Sequence, residues 1–324
     1  MNDKEIISSI QSQVPNFEVS FTDEKCTKLN FEVDEIFGSS LRLVSDNVKS
    51  EVLHKISKLK NLKSLNLRKS LLGSIPNEFE NLTKLGEINL GSNLLYSFPR
   101  ALLKMNNLKK IFLGSNFISD VPEDFFLLSQ LESIHLHKNP ITVLPDNFDS
   151  LPKLEILHLY LSGLIDYPKS IFKLHNLLEL SFGFNDFSLL PRDIGLLSKL
   201  KFFTLICSEV NSLPDEFTTL KELIAVRFYK NKLKDLPKDI GKLKNLEQIS
   251  LHQNELLSLP KSFFELKQLQ LINLSKNRLD IDLRNFQDFT DLKWLSVYGN
   301  LSVRGEITNE NCTVVSNEHK FWSR

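Results

Sequence analysis

A single step of 23 residues governs this chain. Starting at Leu62 it lands on Leu85, Leu108, Leu131, Leu154, Leu177, Leu200, Leu223, Leu246, Leu269 and Leu292, eleven leucines in register with no insertion or deletion. A period of this length marks an array in which each unit buries its apolar face on its neighbours. Three residues after each leucine stands a second apolar column, from Leu65, Ile88 and Ile111 to Leu295, and two residues further a third, from Leu67 and Leu90 to Val297. Apolar residues at alternate positions predict a short strand with one face buried. One such strand per repeat, always running the same way, predicts a parallel sheet.

Other columns keep the same step. Asn or Ser follows each strand: Ser70, Asn93, Asn116, Asn139, Ser162, Asn185, Ser208, Asn231, Asn254, Asn277 and Asn300. A buried amide there can donate and accept where the turn leaves backbone groups open, so identical neighbours predict a ladder, weaker at the serines. A proline column runs from Pro76 to Pro260; proline cannot donate to a sheet and belongs on the return side. Three residues later Phe79, Leu102, Phe125, Phe148, Ile171, Ile194, Phe217, Ile240 and Phe263 fill the outer half of the core. Tyr167 replaces leucine before Pro168, and Asp282-Leu283 stands at the Leu-Pro place of the tenth repeat.

The unit L-x-x-L-x-L-x-x-N-x-L-x-x-L-P-x-x-F/I-x-x-L, from about Leu59 to Val303, resembles the leucine-rich-repeat family. Its length and Leu-Pro pair are similar to the subtype of Ras-suppressor-like, plant intracellular Ras-group and some bacterial repeat proteins. The resemblance implies an α/β solenoid, curved, with a concave parallel β-sheet and a convex side of short helical or irregular segments. The expected organisation is an N-terminal cap over 1–26, a solenoid over 27–303 with one atypical repeat before the eleven regular ones, and a C-terminal cap or tail over 304–324. Thr27 to Phe31 reads as the opening strand, followed by an irregular stretch to Val48. Val52, Ile56 and Leu59 then take helical spacing. Before that strand, Ile6, Ile7, Ile10 and Val14 fit an amphipathic helix, while Phe17, Val19 and Phe21 alternate as an edge strand. Ile307, Val314, Val315, Phe321 and Trp322 are candidates to fold over the last repeat.

Composition narrows the function. The 40 basic and 40 acidic residues cancel, which gives no basic footprint for nucleic acid. No apolar run is long enough for a membrane helix or a signal peptide. Cys26, Cys207 and Cys312 are odd in number and widely spaced, so neither a disulfide framework nor a zinc motif is expected. These features predict a cytoplasmic protein, with a secreted bacterial protein as the alternative and a monomer as the expected state. No phosphate loop or nucleophile elbow occurs. Cys207 lacks a histidine in neighbouring columns and reads as a small half-buried residue. The chain is expected to be no enzyme, with no catalytic residue, no cofactor and no metal.

The residues between and beside the inward leucines face the open side of the sheet. Small polar residues dominate this face in the first repeats. Later ones carry Phe112, His135, His137, Ile156, His158, Tyr160, Phe202, Ile206, Arg227 and Tyr229. The core does not require them, and aromatic residues and arginine are enriched at binding hot spots. The same residues also favour strands for packing reasons. These ten are the candidate partner-binding residues of a non-catalytic protein–protein interaction module acting through its concave face. The alternatives are recognition of a surface glycan or lipid, or an adhesion or effector role in a bacterium. His135, His137 and His158 fall close enough for a zinc ion. With no fourth protein ligand and no partner to orient the rings, the sequence weighs them as plain contacts.

Overall fold

In the computed structural model, which describes residues 1–14, 16–34, 38–185, 187–309 and 311–316, each repeat opens with a short strand centred on its second apolar column. The chain divides into two units, 1–171 and 172–324. Each is an open stack of strands that does not close on itself.

In the first unit the strands Ser64–Asn66, Glu87–Asn89, Lys110–Phe112, Ser133–His135 and Ile156–His158 pair in parallel, each residue opposite the one 23 positions later. In the second, Glu179–Gly183, Phe202–Ile206, Ala225–Arg227, Gln248–Ser250, Leu271–Asn273 and Trp294–Ser296 do the same. A register set by identical columns cannot slip by one residue without turning every leucine to solvent.

The chain leaves each strand through a left-handed residue. Lys69, Ser92, Ser115, Lys138 and Leu161 in the first unit, and Phe184, Cys207, Lys230, Gln253 and Lys276 in the second, have φ between 48° and 59°. Such a conformation costs a non-glycine residue roughly 1–2 kcal/mol. Where asparagine follows, its side chain offsets the cost. Asn116 donates to the Leu90 and Leu113 carbonyls at 3.0 and 2.8 Å and accepts from the Leu95 N–H at 3.1 Å. Asn93, Asn139, Asn231, Asn254, Asn277 and Asn300 repeat this pattern. The three serines each behave differently. The Ser70 hydroxyl donates to Ser39 Oγ at 2.8 Å, Ser208 donates to the Ile206 carbonyl at 3.3 Å, and the buried Ser162 hydroxyl has no partner among the described residues.

The return side is made of single 3-10 turns, such as Asn77–Asn81 and Glu123–Leu127 in the first unit and Arg192–Leu196 and Asp215–Thr219 in the second. Pro76, Pro122, Pro191 and Pro214 cap them with φ near −70°. Phe79, Phe125 and Phe148, and in the second unit Phe217 and Phe263, are wholly buried. Phe126 meets Phe125 and Phe148 edge to face at 5.5 and 4.9 Å, as Phe228 meets Phe203 at 5.4 Å. The Asp282-Leu283 departure has a structural consequence. Asp280–Asp282 extends and pairs in parallel with Ser302–Arg304, and the Asp282 carboxylate then caps the following turn by accepting from the Arg284 N–H.

At the start, the helix Asp3–Gln11 is fixed by a reciprocal cap. Asn2 accepts from the Glu5 N–H at 2.9 Å, and Glu5 accepts from the Asn2 N–H at 3.0 Å. Ile6, Ile7, Ile10 and Val14 are buried. The hairpin Glu18–Thr22 and Lys25–Asn30 follows, turned by Asp23 and Glu24, both left-handed. Its second strand pairs in parallel with Ser64–Asn66. Phe17 stacks on Phe31 at 4.7 Å, while Phe21 is exposed. The stretch expected to be irregular as far as Val48 is more ordered than that. It holds the strand pair Glu32–Asp34 and Gly38–Ser39 and the first turn of the helix Asp46–Ile56, which begins where Ser45 accepts from the Val48 N–H and carries Val52 and Ile56 as their spacing predicts, with Leu59 past its end. At the far end Thr313–Val315 adds a parallel strand beside Trp294–Ser296, and Val315 is buried. Phe321 and Trp322 lie outside the described residues.

Candidate functional site

Six of the ten candidate residues fall in the first unit, on three adjacent strands or, for His137 and Tyr160, two residues beyond their ends. Phe112, His135 and His158 are opposite one another in register. Each sits between two inward residues and must face outward. Strand spacing of about 4.8 Å then forces ring contact. Phe112 stacks on His135 with centroids 4.5 Å apart, and His135 meets His158 edge to face at 4.3 Å. Ile156 flanks this row, half-buried, opposite the buried Ser133.

A second row lies two residues on, at Gly114, His137 and Tyr160. The His137 ring rests over Gly114, where a side chain would not fit. A Cβ on Gly114 would stand 2.6 Å from Nε2 and 2.8 Å from Nδ1. Tyr160 covers the same ring, stacked at 4.6 Å with 9° between planes. Burial in this sandwich pushes His137 down to about 4, helped by His158, Lys138 and Arg68. The ring is therefore neutral at pH 7, and its Nδ1 is buried with no hydrogen-bond partner among the described residues. The two rows touch, since His135 and His137 are 6.1 Å apart and His137 and His158 are 6.4 Å apart. His135 is tethered on one edge, its Nε2 being 3.0 Å from Ser133 Oγ.

The other four candidates belong to the second unit. Phe202 is exposed, beside Ala225 in register, and Arg227 is exposed opposite Thr204. Tyr229 is half-buried, and burial together with the Cys207 thiol raises its hydroxyl pKa. Ile206 requires correction. The sequence places it on the open face, but only 8% of it is exposed. Its side chain lies across Gly183, where an added Cβ would collide with Ile206 Cγ1 and stand 2.7 Å from the Ile206 carbonyl oxygen. It is packing, not contact surface. Cys207 is half-buried and burial raises its thiol, which disfavours the thiolate a nucleophile requires.

One surface escaped the columns chosen from the sequence. In the first unit the residue after each ladder position is apolar and exposed at Leu71, Leu94 and Phe117. Tyr96, 69% exposed, stacks on Phe117 at 5.1 Å. In the second unit the same column carries Glu209, Lys232, Glu255 and Arg278 before the exposed Leu301, and the ion pairs Lys232–Glu209 and Arg278–Glu255 run along it. Reading that column would have found the contrast. Among the described residues no helix is long and apolar enough to cross a membrane.

Comparison with known proteins places the repeats. The family model described as leucine rich repeat matches residues 106–163 and 244–301. No curated protein matches the chain. Among solved structures, a leucine-rich-repeat protein of Leptospira interrogans is 26% identical with a TM-score of 0.73, over 84% of this chain and 80% of that one. An internalin of Listeria monocytogenes is 20% identical with a TM-score of 0.75, over 97% and 88%. The leucine-rich repeats of FLRT2, in a complex with Latrophilin 3 and Unc5D, are 22% identical with a TM-score of 0.65, over 79% and 84%. At such identities the last two speak for the fold alone. Periodic leucines, in-register parallel strands, an asparagine ladder and a family model matching part of the chain all agree on a leucine-rich-repeat fold.

Proposed function

We propose that the chain is a non-catalytic binding module whose open sheet face takes a protein partner. Phe112, His135, Ile156, His158 and Tyr160 of the first unit would be the anchor. The observation that carries this reading is the continuous layer of half-exposed rings across three neighbouring strands, outside a core that is already filled. Rigid aromatic rings held by their neighbours lose little entropy on binding and supply the anchors typical of interfaces. Phe202, Arg227 and Tyr229 offer a second, smaller set on the other unit. Leucine-rich-repeat folds commonly serve protein recognition, and the FLRT2 repeats occur in a complex with other proteins; both support the reading.

The test compares the wild-type chain, the double variant Phe112→Ala/Tyr160→Ala and the return-side control Asp124→Ala as baits in native lysate. All three are first checked for an unchanged circular dichroism spectrum. The expectation is a partner recovered by wild type and control and reduced at least tenfold, about 1.4 kcal/mol, by the double variant. Equal recovery by all three removes this face from the function. A glycan array probed with the same proteins reports the competing sugar reading.

A further inference from the structure

We infer that His135, His137 and His158 form a binding site for a divalent transition-metal ion of the zinc class, on the sheet face of the first unit. One ring nitrogen from each of the three can be chosen so that all lie within 4.8 Å of one another. Tetrahedral coordination at about 2.0–2.1 Å sets nitrogens about 3.4 Å apart. The widest pair must therefore close by at most ~1.4 Å, within reach of small side-chain rotations at a half-open surface.

Three features beyond proximity favour a metal. The buried Nδ1 of His137 has no hydrogen-bond partner among the described residues. A buried imidazole nitrogen left so is costly, and a ring shift that brings it onto an ion removes the cost. The His137 plane is held between Gly114 and Tyr160, so little rotational freedom is lost on coordination. His135 has the orienting contact that the sequence could not show. Its Nε2 is 3.0 Å from Ser133 Oγ, and Ser133 is itself buried. With the proton on Nε2 donated to that hydroxyl, Nδ1 is left as the ligating atom, the arrangement by which second partners fix metal-binding histidines.

The donor set selects the ion. Three imidazoles and no carboxylate in the cluster suit Zn2+, Cu2+, Ni2+ or Co2+ and not Mg2+ or Ca2+. The fourth position is open to water or to a ligand from outside the chain. With three ligands, no thiolate, and Lys138 and Arg68 close enough to act on His137, affinity on the order of micromolar is expected, far below a four-ligand structural site. The inference does not rest on the partner-binding reading, because the ion is measured on the chain alone.

The test titrates the purified full chain, stripped by chelator, with Zn2+ at pH 7.5 by calorimetry, and with Co2+ by visible absorption. One ion per chain is expected, with the intense visible bands of four-coordinate cobalt. His135→Ala/His158→Ala abolishes both signals, and Ser133→Ala weakens binding about tenfold. His54→Ala/His175→Ala, two exposed histidines outside the cluster, leaves binding unchanged. Zinc stoichiometry near zero in the wild type overturns the inference without reliance on any variant. So does binding that survives the double histidine substitution.

Discussion

Ser162→Asn should stabilise the first unit, because it completes the one rung of the ladder whose hydroxyl bonds to nothing described. In the preceding repeat Asn139 donates to the Leu113 and Leu136 carbonyls at 3.0 and 2.9 Å and accepts from the Ile118 N–H at 3.0 Å. Ser162 occupies the same column, buried, after a left-handed Leu161 with φ 56° like its counterparts. Shifted by 23 residues, an asparagine there would donate to the Leu136 and Leu159 carbonyls and accept from the Ile141 N–H. Three bonds at about 1 kcal/mol each, less roughly 1 kcal/mol for immobilising the longer side chain, give a net gain of about 2 kcal/mol. Repeat arrays open in parts, so a global midpoint alone is too coarse. Native-state hydrogen exchange read at Ile141 and its neighbours should show protection rising by roughly thirtyfold, with the urea midpoint moving up and the slope unchanged. Unchanged exchange there, or a lower midpoint at constant slope, would refute the rung argument and mean the slot is shaped for serine.

The opposite change makes the companion prediction. Asn116→Ala strips partners from the Leu90 and Leu113 carbonyls and the Leu95 N–H, and urea unfolding should show a loss of about 3–5 kcal/mol, since buried groups left unpaired cost their full desolvation. Gly114→Ala drives a Cβ into the His137 ring and should break its stack on Tyr160; near-UV circular dichroism should change while stability falls by only about 1 kcal/mol, because a half-open side chain can swing aside. Cys26 is fully buried, with its thiol pushed up to about 12 by burial and by Asp3, so at pH 8 only about one in ten thousand is thiolate. Iodoacetamide should label Cys207 and Cys312 first, and labelling of Cys26 at the rate of Cys312 in the native protein would contradict its burial.

The repeating part of the fold was open to reading because side-chain chemistry and position are locked together there. A leucine column with period 23 and an L-x-L alternation leave one economical arrangement, and the strands lie in it. The turn geometry was hidden for the opposite reason. Lys69, Ser92, Leu161, Phe184 and Cys207 share a left-handed backbone yet share no chemistry, and the next residue is serine at 70, 162 and 208 and asparagine at 93 and 185, so their own type does not mark the turn. In the N-terminal stretch the spacing of Val52 and Ile56 marked the helix, but the strand pair Glu32–Asp34 and Gly38–Ser39 escaped reading for want of repetition. Without a second copy of Glu32–Asp34 or Asp46–Ile56 to align, only single caps such as Ser45 marked the boundaries.

The candidate site was legible as far as alternation reaches and no further. Period two assigns Phe112, His135 and His158 to the open face, and their contacts follow from strand spacing. Two residues on, alternation again says outward, but the residue 23 positions earlier decides what outward means. His137 follows Gly114 and lies down over it; Ile206 follows Gly183 and lies down far enough to be buried. Tyr229 follows Ile206, finds no such gap and stays half-exposed. A glycine upstream in the same column therefore turns a surface position into packing. In a stack of identical strands, the exposed face must be read in pairs across repeats, because each side chain's neighbour is the one its predecessor lacks or supplies.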